Sequence, residues 1–285
     1  MKTGIDLNKK QTFVRKYLLG LLMFCGFSWQ VRGAVVDTLW IHSAGMSKEI
    51  QTVVISPGEG KATTPVIYLL HGYGGNAKSW VDDVKPDLPE LADLYGVRLV
   101  CPDAQNSWYW DSPRDSSSRY ETFVSEELIR YVEARYSVVK ERRGRAITGY
   151  SMGGHGAMWI ALRHTSVFGA AGSICGGVDL RPFPDNWNLK EHLGEENKHR
   201  EIWEKHTVIN QVDRLKNGDL ALIFDCGYDD FFFEVNNDFH EKLLKYKIDH
   251  DFIVRPGAHT NDYCRKSIDY QLLFFKKYFD KNKNK

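Results

Sequence analysis

The sequence carries no excess of charge of either sign: 38 basic and 37 acidic residues leave a formal net charge of +1 over 285 residues. That balance gives no electrostatic ground for a nucleic-acid partner or an anionic membrane surface. It has no internal repeat and no low-complexity linker, which removes solenoid and multi-module architectures. Only the alternating Lys and Asn at 281–285 form a weakly patterned tail. The five cysteines include no CxxC pair and no zinc-ligand spacing, so no metal site is indicated. No apolar run reaches the ~20 residues needed to span a bilayer. What remains is an ordinary globular balance, 42% hydrophobic and 26% charged, enough to bury a sizeable core.

The N-terminus reads as an address. Lys9, Lys10, Arg15 and Lys16 make a basic region, an apolar run follows from Tyr17 to Trp29, and Val31-Arg32-Gly33 offers modest side chains at a cleavage position. This is the layout of a signal peptide over 1–33, with export to the periplasm or the medium. The alternative, a membrane anchor, would need a longer apolar run. Cys25, preceded by Phe24, does not have a lipoprotein acceptor context. The mature chain, 34–285, reads as one domain. Its four cysteines, Cys101, Cys175, Cys226 and Cys264, read as free thiols, because a core of this size does not need disulfides.

Two β-rich runs open the domain between Val35 and Ser56 and stop at the turn pair Pro57-Gly58. Short continuous apolar runs follow, at Val66–Leu70, Val97–Cys101, Arg145–Thr148, Phe168–Cys175, Ala221–Phe224 and Phe252–Val254. Such runs mark strands buried on both faces. Between them lie helical patterns at Tyr120–Tyr136, Gly153–His164, Phe231–Tyr246 and Tyr263–Phe279. Strands alternating with helices predict an α/β fold: a mostly parallel central sheet with helices on both faces, and antiparallel strands at one edge. In such a sheet, sites form beyond the carboxyl ends of the strands.

Four segments fall at those ends. Gly149-Tyr150-Ser151-Met152-Gly153 is G-x-S-x-G between a strand and a helix, the context of a nucleophile elbow. Small residues two before and two after the serine let the backbone turn sharply and lift the hydroxyl above the sheet. His71-Gly72-Tyr73-Gly74-Gly75 follows a buried strand and can turn a backbone N–H toward a reacting carbonyl. The candidate oxyanion donors are the N–H groups of Tyr73 and Met152. Arg255-Pro256-Gly257-Ala258-His259 presents His259 on a loop past the last strand, where a general base belongs after such an elbow. His71, His155 and His250 lie near site elements too, whereas His192 and His199 sit in polar stretches and read as solvated. Three acids, Asp225, Asp229 and Asp230, compete at the strand-to-helix turn that carries the third group. Trp108-Tyr109-Trp110-Asp111 offers Trp108 and Trp110 as pocket walls, with packing beneath a loop as the alternative.

These segments, with Ser107-Trp108-Tyr109, Tyr120-Glu121-Thr122 and Asp225-Cys226-Gly227-Tyr228-Asp229-Asp230-Phe231-Phe232, resemble the putative-esterase family of α/β-hydrolases over about Thr52 to Phe275. That family includes S-formylglutathione hydrolases, tributyrin-type, feruloyl and acetylxylan esterases, and mycolyltransferases. The resemblance implies an α/β-hydrolase fold and a serine carboxylic-ester hydrolase that works through an acyl-enzyme, with no cofactor. It also selects the acid: the family repeats an acid just ahead of the aromatic pair, which here is Asp230, completing the set Ser151, Asp230, His259. An exported enzyme fits an acetyl or feruloyl ester on a polysaccharide better than a cytosolic thioester. Acyl transfer to an alcohol would use the same residues. A non-catalytic binding module is the reading from another class, and such modules usually lose the serine or the histidine.

Overall fold

Every residue of strand β5 (Arg145–Gly149) is buried, and the sheet is built outward from it. The computed structural model describes residues 1, 33–58 and 63–283. The segment read as a signal peptide, 1–33, lies outside the described residues except at its two ends. From Gly33 onward the chain folds as one compact unit. The strands are β1 (Val35–Ser43), β2 (Lys48–Ser56), β3 (Val66–Leu70), β4 (Arg98–Pro102), β5, β6 (Ala170–Ile174), β7 (Ala221–Gly227) and β8 (Asp251–Arg255). They form one sheet in the order β1-β2-β4-β3-β5-β6-β7-β8. β1, β2 and β4 pair antiparallel, and every pair from β4 to β8 is parallel.

The period-2 alternation of the inner strands divides the core into two layers. From β3, Val66, Tyr68 and Leu70 enter one layer, together with the Met152–Arg163 helix and with Leu128, Phe239 and Leu243. Ile67 and Leu69 point the other way, into a layer with Leu88, Ala92, Ile268, Leu272 and Phe275. The helices over Met152–Arg163 and Phe233–Lys245 thus cover one face, and those over Leu88–Tyr95 and Asn261–Asn282 the other. Short helices do not announce themselves in sequence: Leu189–Leu193 and Arg200–Lys205 are 5 and 6 residues long, too short for a 3.6-residue period to show. No helix of the described residues is long and apolar enough to cross a membrane.

The cysteines Cys101, Cys175, Cys226 and Cys264 are all free and buried. At the centre of the sheet the elbow is packed without slack. A Cβ on Gly153 would overlap the Leu70 carbonyl oxygen, and one on Gly149 would lie 2.5 Å from the Gly153 backbone. Backbone cannot move aside as a flexible side chain can, so Gly153→Ala is expected to cost ~1–3 kcal/mol. The thermal midpoint should fall by roughly 3–10 °C for a domain of this size. Circular-dichroism melts of the parent and variant check this, and an unchanged midpoint would mean that β3 can retreat from the elbow.

Candidate active site

The C-terminal ends of β3, β5, β7 and β8 bring together the segments that carry chemistry. Ser151 follows β5 directly and has φ 56°, ψ −120°, a strained conformation for a residue with a side chain. Its N–H donates to Ile174 O at 2.8 Å, and its carbonyl accepts from His155 N at 3.0 Å. The turn is therefore held from the neighbouring strand and from within the helix. That helix begins at Met152, whose N–H, as a first-turn group, has no acceptor in its own helix and lies at the positive end of the dipole.

His259 stands between Ser151 and Asp230. Its Nδ1 lies 2.8 Å from Asp230 Oδ2, and its Nε2 lies 2.8 Å from Ser151 Oγ. A carboxylate can only accept, so Nδ1 carries the proton and Nε2 is left to accept from the serine hydroxyl. The Asp230 side chain is fully buried, and that of His259 is 23% exposed. Asp230 Oδ1 accepts from Phe232 N at 2.8 Å, which fixes the carboxylate from its other side.

The other two acids face elsewhere. Asp229 is exposed, with its N–H donating to Gly257 O at 3.0 Å. Asp225 lies inside β7 and is fully buried, 3.5 Å from the Arg255 guanidinium. Burial pushes its carboxyl up from an ordinary value near 3.8 to about 7, against the pull of Arg255 and the hydroxyl of Ser267.

The loop after β3 is pinned on both sides of Tyr73. His71 is buried; its Nε2 accepts from Ala104 N at 2.9 Å, so its Nδ1 donates to Gly72 O at 2.8 Å. Gly75 N donates to the same carbonyl at 3.0 Å, and Gly74 N donates to Asn106 Oδ1 at 2.7 Å. A Cβ on Gly72 would meet the Tyr150 ring at 2.5 Å and Ser151 Cβ at 3.3 Å, so this loop lies against the elbow. The sequence marks His71 only as a histidine near a site element. Its part in holding the loop depends on Ala104, 33 residues away, which no local pattern could supply.

Trp108 and Trp110 are each 1% exposed. Trp110 sits against His155, His192 and His206, which is the packing alternative rather than a wall open to ligand. Trp108 lies between Trp110 and the rings of Tyr73 and Trp187. His155 is enclosed by Trp108, Trp110 and Trp159, and burial pushes its pKa down to about 3. It is a neutral packing residue. His192 is half-buried against Trp110, so its polar neighbours in sequence misrepresent its surroundings. His250 pairs with His240, Nε2 to Nδ1 at 2.7 Å. Trp187 went unmarked in the sequence and Phe231 was marked only as part of the aromatic pair after Asp230; the Phe231 ring lies 4.3 Å from the His259 ring, centroid to centroid, and Trp187 stacks on it.

Among the described residues, Cys175, Asp230 and His259 form one group whose donor atoms all lie within 4.8 Å of each other. The contact with Cys226, together with burial, pushes the Cys175 thiol well up. A protonated thiol is a poor metal ligand, and the other two groups are already bonded to one another.

A serine hydroxyl on a strained strand-to-helix turn, an imidazole at its side and a parallel sheet beneath are the parts of a serine hydrolase of the α/β-hydrolase fold. The family profile described as Putative esterase matches residues 43–275. The chain belongs to that family, as a serine carboxylic-ester hydrolase. An acetyl esterase of Caldicellulosiruptor saccharolyticus is 24% identical over 71% of this chain and 79% of its own length. A diacylglycerol acyltransferase/mycolyltransferase of Mycobacterium avium is 32% identical over 52% of this chain, and the match spans less than half, 46%, of that protein. The solved structure of a ferulic acid esterase superposes with a TM-score of 0.74 at 25% identity, over 86% of this chain and 99% of that one.

Two predictions separate the acids. Asp230→Asn is expected to lower kcat by orders of magnitude, ~10⁴ by analogy with a serine protease, whereas Asp229→Asn changes it by less than about tenfold, or ~1.4 kcal/mol. Both are to be assayed beside the parent after circular dichroism has shown them folded. Asp225 should show itself in stability instead. Its folded-state pKa lies above its unfolded value, so between about pH 4 and 7 the folded protein holds a proton that the unfolded chain has lost. Its contribution to stability therefore declines as pH rises through that window. Asp225→Asn, which cannot titrate, should gain on the parent by on the order of 2–4 kcal/mol between pH 4 and pH 8. Urea unfolding at both pH values measures the difference, and parallel curves would show that Asp225 does not titrate there.

Proposed function

We propose that this protein is an exported esterase that removes an acetyl or feruloyl group from a polysaccharide through an acyl-enzyme on Ser151. The observation that carries the mechanism is the pair of 2.8 Å contacts that His259 makes with Ser151 Oγ and Asp230 Oδ2. His259 takes the hydroxyl proton at Nε2 as Ser151 Oγ bonds to the ester carbonyl carbon. Asp230 holds the imidazole in the tautomer that leaves Nε2 free and offsets the charge it gains. The N–H groups of Tyr73 and Met152 receive the oxyanion, supported by the pinned loop after β3 and the helix start behind Met152.

Collapse of the tetrahedral state breaks the bond to the alcohol, which leaves with the proton from Nε2. Water then repeats the sequence on the acyl-enzyme and releases the acid. Export rests on the basic-then-apolar pattern of 1–33. The acyl group rests on the acetyl esterase and ferulic acid esterase to which the chain is similar. Transfer to an alcohol in place of water is the second reading, favoured by the similarity to the mycolyltransferase.

Acetylated xylan, methyl ferulate and simple soluble esters, compared by kcat/KM, test the substrate. A preference for neither of the first two over the simple esters would overturn the polysaccharide assignment, and a transesterified product on adding a sugar or glycerol acceptor would favour transfer. Ser151→Ala should retain the fold and lose turnover by ~10⁴-fold or more. A fluorophosphonate should label the parent once, at Ser151, and leave the variant unlabelled; label elsewhere would displace Ser151 as nucleophile.

A further inference from the structure

The turns that carry Asp230 and His259 meet at two glycines. Gly227 closes β7 shortly before Asp230, and Gly257, with φ 145°, stands shortly before His259. A Cβ on Gly227 would lie 2.1 Å from the Gly257 carbonyl oxygen, so the two backbones approach as closely as glycine permits. Two backbone bonds join them there: Tyr228 N donates to Arg255 O at 3.1 Å, and Asp229 N donates to Gly257 O at 3.0 Å. Among the described residues, the next bond between the two turns is the 2.8 Å contact of His259 with Asp230.

One ring fills the notch that the glycines leave. Tyr263 is 4% exposed. A Cβ on Gly257 would lie 2.4 Å from its Cδ2, and one on Gly227 would lie 3.1 Å from its Cε2, so one edge of the ring rests on both turns. The Arg255 guanidinium lies over the ring at 4.7 Å, and it is held in turn by Ser267 and Asp225. Tyr263 N donates to Thr260 Oγ1 at 3.2 Å, which ties the ring to the helix start directly after His259. The Tyr263 hydroxyl is buried with no hydrogen-bond partner among the described residues. What this side chain offers the turns is the shape of its ring.

We propose that Tyr263 is a positioning residue for ester hydrolysis, whose ring fixes the Asp230 turn against the His259 turn and so holds the bond between them. This rests on the proton-transfer roles given to Asp230 and His259 above. Gly257 leaves its turn wide backbone freedom, whereas a short bond between carboxylate and imidazole needs both carriers fixed to a fraction of an ångström. With the ring gone, the Gly257 turn can settle into the vacated space and carry His259 away from Asp230. A ring so buried has no surface to offer an ester. The loss therefore falls on proton transfer, which acylation and deacylation share, and leaves ester binding alone.

Tyr263→Ala, Tyr263→Leu and Tyr263→Phe are compared with the parent and Asp230→Asn on 4-nitrophenyl acetate, with rates referred to sites titrated to completion by a fluorophosphonate. In Tyr263→Ala, kcat should fall about 100-fold, the cost of a misplacement of ~1 Å. KM should stay within about twofold, and the burst and steady phases should slow alike. Tyr263→Phe keeps the ring and should stay within about twofold of the parent in kcat. The bond itself is read from the far-downfield proton NMR signal of an imidazole N–H bonded to a carboxylate. It should be present in the parent and Tyr263→Phe, and lost in Asp230→Asn and Tyr263→Ala. Should the alanine variant not fold, Tyr263→Leu, which keeps apolar volume without a flat edge, should lose about tenfold or more in kcat.

A parent-like rate per site in Tyr263→Ala, or in Tyr263→Leu if that alone folds, would overturn the proposal. So would a raised KM at unchanged kcat, which would place the ring in ester binding. A loss in Tyr263→Phe as large as in the alanine variant would give the role to the hydroxyl, and slow turnover with the downfield signal intact would detach the ring from the Asp230–His259 bond; either result overturns the assignment. Failure of the proton-transfer roles looks different: Asp230→Asn itself would keep the parent's signal and rate.

Discussion

The backbone at Ser151 turns through φ 56°, ψ −120°, and the surrounding structure over-determines that turn. Gly149 and Gly153 leave no room for a Cβ against the Leu70 carbonyl or each other, so β3, β5 and the following helix approach more closely than side chains would permit. The same closeness sets Gly72 against Tyr150 and Ser151. The serine hydroxyl, the helix N-terminus and the loop after β3 thus share one small volume because three glycines lack side chains. The strain at Ser151 is offset by bonds from Ile174 and His155 on either side, and by a sheet buried on both faces.

Around that point the polar groups are sorted by what they can bond to. His71 serves the loop through two backbone partners. Asp230 accepts from the Phe232 N–H and from His259. Asp225, inside β7, has the Arg255 guanidinium at 3.5 Å and the Ser267 hydroxyl, and burial nonetheless pushes its carboxyl up to about 7. The two acids on one short segment therefore differ in their partners: two hydrogen bonds hold Asp230, whereas Oδ1 of the buried Asp225 has none among the described residues. His155, which shares the first turn of the nucleophile's helix, is kept neutral among indole rings and takes no part in proton transfer.

The aromatic residues divide in the same way. Trp110 and Trp159 close the core beside His155 and His206. Trp108 passes the packing outward to Trp187, and Trp187 passes it to Phe231 over His259. A continuous series of rings thus runs from a buried interior to a half-exposed shelf at the base. Rigid indoles beneath hold the outer rings at little cost in side-chain entropy.

The local sequence by itself determined the α/β architecture, the elbow and the loop histidine. A strand buried on both faces must be apolar without interruption, a sharp strand-to-helix turn must be flanked by glycine, and both constraints act within a few neighbouring residues. Val66–Leu70 and Gly149–Gly153 were legible for that reason. The choice among Asp225, Asp229 and Asp230 was not legible from local pattern; the family resemblance pointed to Asp230. Which acid meets His259 depends on how the turn after β7 lies beside the loop after β8, 29 residues on. The tertiary structure alone decided that Trp110 is core, that His192 is shielded, that His71 anchors a loop and that Phe231 lies against His259 with Trp187 stacked on it. Each of these depends on contacts between segments far apart in the chain, and a side chain's type does not say which distant surface will cover it.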